Sequence, residues 1–236
     1  MVPHLVHIPY SPWSERARWI LDAAGIEWRA TGYVPTVSEP WLRAKLGRWR
    51  GPVTVPVLFT DDGPVTDSWD IACWVDRRSP GWMPAGTDAL HRTADEVLRS
   101  GRVLAGKRVL ADPEALKASR PALVKPLGPL GTLATADGWK RVLNKYREPG
   151  MDDADHRARM TDGLATLEAA VGAGPFVFES FSYADITVAS ALSFVQPHAN
   201  LGLEPASARA WSDAELAERF AGLLAWRDGL VRDHRG

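Results

Sequence analysis

Strand signals in this chain stop at Ser79-Pro80-Gly81-Trp82-Met83-Pro84, and nothing after that break alternates with a period of two. Before it, residues 4–8 read as a short strand. Tyr10-Ser11-Pro12-Trp13-Ser14 then opens a helix that runs to about Ala24, and residues 28–33 read as a second strand. Pro12 suits the first helical position, where its missing N–H has no partner to lose, and Gly25 suits the stop. Trp13, Ala17, Ile20, Leu21 and Ala24 recur at helical spacing and predict the buried face, with Glu15, Arg16 and Asp22 outside.

A variable, basic stretch follows over residues 38–52. Val55-Pro56-Val57-Leu58-Phe59, the turn Asp61-Asp62-Gly63 and then Pro64-Val65-Thr66 read as a hairpin, and an X-Pro bond at such a strand entry is a place for a cis peptide. Asp67 or Ser68 caps a helix through Trp69, Ile71, Ala72, Trp74 and Val75. The first part is therefore β-α-β followed by β-β-α. Helical patterns fit residues 89–110, 113–124, 138–146, 153–171, 183–195 and 213–232, with Leu127-Gly128-Pro129-Leu130-Gly131 as a loop or sharp bend.

Composition narrows the function. Apolar residues make up 45% against 24% charged, which is globular rather than disordered. Lys and Arg total 28 against 29 Asp and Glu, so no overall field attracts nucleic acid or an anionic membrane. The N-terminus has no basic, then apolar, leader pattern, and no apolar run reaches a membrane span; a cytoplasmic location and no membrane partner are expected. A single cysteine, Cys73, excludes an internal disulfide and a cysteine-based metal site, and on the buried side of its helix it reads as an inert core thiol. The six histidines share no metal-ligand spacing, so no metal is expected.

Chemistry concentrates at Ser11-Pro12-Trp13-Ser14, where open N–H groups and the helix dipole favour an anion. A serine hydroxyl there can donate to a thiolate or simply cap the helix. With serine at both 11 and 14, dithiol and monothiol redox chemistry are excluded at this turn. Ser182-x-x-Asp185, flanked by Phe181 and Ile186, is a capping box with its hydrophobic staple and reads as structural.

These segments, in this order, resemble the glutathione S-transferase family. The run from Tyr10 to Leu21 is similar to that family's active-site turn and first helix, Val55-Pro56-Val57-Leu58 with Asp67-Ser68 to its cis-proline strand and acidic-Ser pair, and Phe181-Ser182-Tyr183-Ala184-Asp185-Ile186 to its buried capping motif. The resemblance implies an α/β thioredoxin-like N-terminal domain over residues 1–79, a linker over 80–86 and an all-α helical domain over 87–236. It implies a cytoplasmic, homodimeric detoxification transferase that activates glutathione, as co-substrate and without a metal, and conjugates it to a hydrophobic electrophile. Glutathione-dependent peroxidase, dehalogenase and ether-cleaving chemistry, or a non-catalytic ligand-binding or interaction module, remain the alternatives.

Carried onto this sequence, the resemblance makes Ser11 the donor to the glutathione sulfur, with Ser14 and Tyr10 as alternatives. It has the Val55 backbone, beside a cis Pro56, pair with the cysteinyl unit. Ser68 takes the γ-glutamyl carboxylate and Asp67 the ammonium, unless both are only caps. Thr54 stands where the family has Lys or Gln, which leaves the glycyl carboxylate to Arg48 or Arg50, or leaves those arginines as a solvated loop face. Tyr10, Trp13, Arg99 and Arg102 are the expected electrophile-pocket residues.

Overall fold

The structure is a computed structural model that describes residues 1–35 and 37–235; Gly236, the expected end of the helical domain, lies outside the described residues. Strand β1 (His4–His7) pairs in parallel with β2 (Arg29–Gly32) and antiparallel with β3 (Val57–Thr60), which pairs antiparallel with β4 (Gly63–Thr66). The sheet has four strands in the order β2-β1-β3-β4. A parallel pair cannot be closed by a tight turn, and α1 (Pro12–Ala23) supplies the crossover. Alternation fixes the register: Leu5 lies opposite Leu58 and Val6 opposite Val57. Val6 and Val57 pack with Tyr33, Leu42 and Val53 in one apolar cluster.

Two expectations for this half change. Residues 38–52, given no element by the sequence reading, contain α2 (Glu39–Leu46), ended by Gly47 at φ 60°. Leu42 is its one buried residue, so there is no periodic apolar face for a pattern to reveal; an Arg43–Glu39 ion pair at 2.7 Å supports it instead. Glu15 and Arg16 are not outside but buried, because they meet polar partners rather than solvent. Arg16 Nε donates to Ser190 Oγ at 2.6 Å. Glu15 accepts from Arg235 Nε at 2.7 Å and from Arg18 Nε at 3.0 Å, and a second Arg18 nitrogen also bonds it.

The same network reaches further. Arg235 Nη1 donates to Asp22 at 2.8 Å, and Arg18 Nη1 donates to His7 Nδ1 at 3.1 Å. Burial and the Arg18 charge hold His7 down at about 4, so it is the neutral acceptor this bond requires. Trp19 Nε1 donates to the His234 carbonyl at 2.7 Å, and the His234 ring stacks on Phe181 at 4.3 Å. The end of the chain is thereby fastened along α1.

Helix α3 (Ser68–Arg78) follows the hairpin and packs against α1. The segment after it is ordered by one carboxylate: Asp76 Oδ1 accepts the N–H groups of Gly81, Trp82 and Met83 at 3.0, 2.8 and 3.2 Å. Among the described residues no strand follows β4. The helices are α4 (Thr87–Ala111), α5 (Pro113–Ala118), α6 (Pro129–Lys145), α7 (Asp153–Val171), α8 (Tyr183–Ala191), α9 (Pro205–Trp211), α10 (Ala214–Arg219) and α11 (Ala221–His234). The expected bend shrinks to Gly128, at φ 56°, with Pro129 already in the first turn of α6, while the expected 213–232 helix divides at Phe220. The architecture is thus a thioredoxin-like N-terminal domain with a small mixed sheet and a helical C-terminal domain.

The chain forms two compact units: Met1–His91 with Phe176–Ser190 and the residues from Gly229 on, and Arg92–Pro175 with Ala191–Asp228. Within the second, Gly163 of α7 lets α4 approach so closely that a Cβ there would lie 2.5 Å from Val97 Cγ2. Among the described residues no helix is long and apolar enough to cross a membrane.

Burial opposes the Glu15 charge, yet the Arg235 hydrogen bond and the Arg18 and Arg235 charges outweigh it and hold the carboxyl below its ordinary range. A carboxyl lowered in this way stabilises the fold above its unfolded pKa, about 4.3, and loses that contribution as pH falls through the lower folded value. Arg235→Ala should therefore cost about 1.5–3 kcal/mol at neutral pH in denaturant unfolding. The deficit should narrow in acid; an equal deficit in acid would contradict the assignment.

Candidate active site

Register brings the expected residues to one end of the sheet. Val6 lies opposite Val57, and Val57 opposite Thr66, so the end of β1, the start of β3 and the end of β4 share an edge. Ser11 follows the first, Pro56 precedes the second, and Asp67-Ser68 follows the third. Three segments far apart in sequence are thus neighbours through strand pairing alone.

Ser11 stands at the N-cap of α1 with extended backbone (φ −77°, ψ 128°), and Pro12 fills the first turn. An N-cap serine ordinarily bonds the N–H of the second or third helical residue. Ser11 makes no cap bond, so its half-buried hydroxyl stands beside the open N–H groups at the positive end of α1. Ser14 is unlike it. Fully buried, its Oγ accepts the Ile8 N–H at 3.2 Å and ties the helix to the end of β1. Burial pushes the Tyr10 phenol up from its ordinary value, so it stays protonated at neutral pH.

The Val55-Pro56 bond is cis, as expected. The Pro56 carbonyl accepts the Asp67 N–H at 3.2 Å and holds the loop before β3 against the start of α3. Asp67 caps α3 through Oδ1, which accepts the Trp69 N–H at 3.0 Å. Its backbone (φ 82°, ψ 148°) lies where residues with a side chain rarely sit, and it is the one non-glycine with positive φ among the described residues. Such strain persists only where the surroundings over-determine it. Ser68, the first residue of α3, is fully buried, and its Oγ has no hydrogen-bond partner. A buried, unsatisfied hydroxyl costs about 1–3 kcal/mol, so a helix N-terminus carrying one is suited to an incoming acceptor.

The remaining expected residues lie on several elements. Arg48 and Arg50 are exposed on a loop whose carbonyls at Arg48 and Gly51 accept from Arg43 at 3.3 and 3.0 Å. Trp13 is half-buried in the first turn of α1. Arg99 and Arg102 lie on α4 in the second unit, where Arg102 stacks 3.6 Å over the Tyr146 ring and Arg99 pairs with Asp95 at 3.6 Å. Burial lowers Arg102 to about 10, still a cation at neutral pH. Cys73 is half-buried rather than on the buried side of α3; burial and the Asp70 charge push its thiol up, away from thiolate.

Among the described residues no three His, Cys, Asp or Glu are grouped to hold a metal ion. A groove of about 670 Å³ beside Glu96, Asp155 and Arg159, and a cavity of about 380 Å³ beside Ile26, Trp74 and Arg78, contain none of the site residues. Tyr183, inside the Ser182-x-x-Asp185 motif, is fully buried and its hydroxyl has no hydrogen-bond partner. Asp185 accepts the Ser182 N–H and O–H at 2.8 and 3.0 Å and the Val177 N–H at 2.8 Å, which is structural work as expected.

Comparison with known proteins matches residues 10–78 to the glutathione S-transferase N-terminal domain and residues 117–229 to the glutathione S-transferase C-terminal domain. No curated protein matches the chain. Solved structures share the fold. A glutathione S-transferase of Ceriporiopsis subvermispora in complex with glutathione superposes with a TM-score of 0.63 at 15% identity, covering 99% of each chain. A glutathione transferase family member from Pseudomonas fluorescens Pf-5 with bound glutathione gives 0.58 at 21% identity, over 97% of this chain and 94% of that one. One from Methylobacterium radiotolerans, in complex with glutathione sulfonate, gives 0.58 at 17% identity, over 97% and 90%. The matched domains span the serine turn, the cis-proline loop, the Asp67-Ser68 pair and the capping motif of α8, and the chain belongs to the glutathione S-transferase family.

Proposed function

We propose that this chain is a glutathione-dependent transferase that holds the tripeptide where Ser11, Val55, Pro56, Asp67 and Ser68 converge, ionises its thiol and adds it to an electrophilic, mostly apolar small molecule. The observation that carries this is the Ser11 hydroxyl, which stands at the N-terminus of α1 and makes no cap bond. A thiolate beside it gains one charge-assisted hydrogen bond of about 1.5–3 kcal/mol and about 0.3–1 kcal/mol from the helix dipole. Together these lower a thiol pKa of about 8.5 by about one to two units, enough to make thiolate the major form near neutral pH. The thiol proton leaves to solvent, the sulfur forms a C–S bond, and the electrophile's displaced electron pair leaves with its leaving group or takes up a proton.

In this reading Ser68 and the N–H groups that open α3 take the γ-glutamyl carboxylate, and the exposed Asp67 carboxylate takes the ammonium. The Val55 backbone pairs with the cysteinyl unit as an added strand, and Arg48 or Arg50 serves the glycyl carboxylate in place of the residue Thr54 replaces. Glutathione bound in the solved relatives supports the choice of thiol. Family membership supports a homodimer and the roles of Tyr10, Trp13, Arg99 and Arg102 toward the electrophile.

The test is the ultraviolet absorbance of bound thiolate against pH, with turnover of a generic electrophile. Ser11→Ala should raise the bound thiol's pKa by about one to two units and slow conjugation near neutral pH about 10- to 100-fold. Ser14→Ala should leave the titration in place and instead lower stability by about 1 kcal/mol through the lost Ile8 bond. A titration moved by Ser14→Ala and not by Ser11→Ala would transfer the role to Ser14, and oxidised glutathione as product would replace conjugation with peroxide reduction.

A further inference from the structure

Behind Asp67-Ser68, in the same unit, lies a second layer of polar groups that no assigned role uses. Tyr183 opens α8 and is fully buried. Its N–H donates to the Trp82 carbonyl at 2.9 Å, and its ring meets Trp69 edge-on with centroids 6.3 Å apart and stacks on His91 at 5.9 Å. Trp69 and His91 in turn meet at 5.0 Å. The ring is held on several sides, yet its hydroxyl has no hydrogen-bond partner. The hydroxyls that approach it are those of Ser68, itself without a partner, and Thr187.

Two orphaned hydroxyls side by side are costly in a fold that satisfies most of its buried polar groups. A lone pair of hydroxyls makes one bond and leaves a donor at its end, so both are satisfied only when an acceptor arrives. We infer that Tyr183 is a positioning residue for the γ-glutamyl subsite: its phenol O–H donates to Ser68 Oγ once the Ser68 O–H turns outward to a bound carboxylate. This rests on the reading of Ser68 given above. Burial keeps the phenol protonated and therefore a donor, and the nearby Arg16 charge strengthens its O–H. Trp69, next to Ser68 in α3, holds the ring to the same turn of helix that would bind the carboxylate. No proton changes hands; the chain of donors is oriented.

The experiment is calorimetric titration of wild type, Tyr183→Phe, Ser68→Ala and the double variant with glutathione and with the dipeptide Cys-Gly, which lacks the γ-glutamyl unit. Tyr183→Phe should weaken glutathione about tenfold, one hydrogen bond's worth, with kcat at saturation and the bound thiol's pKa unchanged. Cys-Gly should bind both proteins equally, and the double variant should be no weaker than Ser68→Ala alone. Unchanged glutathione affinity in Tyr183→Phe, or an equal loss for Cys-Gly, would overturn the inference. Should Tyr183→Phe fold poorly, 3-fluorotyrosine at position 183 replaces it: its fluorine resonance should move with glutathione and stay put with Cys-Gly, and a resonance that ignores glutathione sinks the idea. Failure of wild type itself to bind glutathione removes the underlying reading, a result distinct from any difference between variants.

Discussion

The parallel pairing of β1 with β2 is the constraint on which the rest depends. It forces a crossover helix, and the crossover must leave from the end of β1, so the N-terminus of α1 is delivered to one edge of the sheet. Antiparallel β3 and β4 then bring the entry of one and the exit of the other to that end, which is how the cis Pro56 and the start of α3 come to the same end of the sheet as Ser11. Helix dipoles at α1 and α3 follow from this topology without any further device. The grouping of these residues at one end of the sheet is therefore a consequence of strand order.

What steadies α1 is unusual for a helix of this length, because much of its buried surface is ionic. Glu15 and Arg18 are closed over by Arg235 from the end of the chain, and Arg16 reaches Ser190 at the end of the first unit's α8 segment. Removing a partner from such a network leaves a buried charge uncompensated, so the network contributes geometry more than net stability. Ser14 adds a further tie, accepting the Ile8 N–H and holding the first turn of the same helix to the end of β1.

Much of this was legible in the sequence. The cis bond, the hairpin, and the Ser182 and Asp185 motif were each marked by residues with few conformational options. Proline, glycine and short polar side chains announce themselves locally. Glu15 and Arg16 were misread because a periodicity argument treats charge as exposure, and the partners that bury them include Arg235 and Ser190, 220 and 174 positions away. Helix α2 was invisible because it buries one residue. Long-range polar satisfaction leaves no local mark.

Nuclear magnetic resonance mapping of backbone amides during a glutathione titration tests the central claim most directly, since it reports where the tripeptide lies without assuming which atom does the chemistry. The account places the largest shifts at Ser11, Trp13, Val55, Ser68 and Trp69, around the shared edge of the sheet. Shifts clustered elsewhere, in particular along the Glu96, Asp155 and Arg159 groove, or none at saturating glutathione, would contradict it.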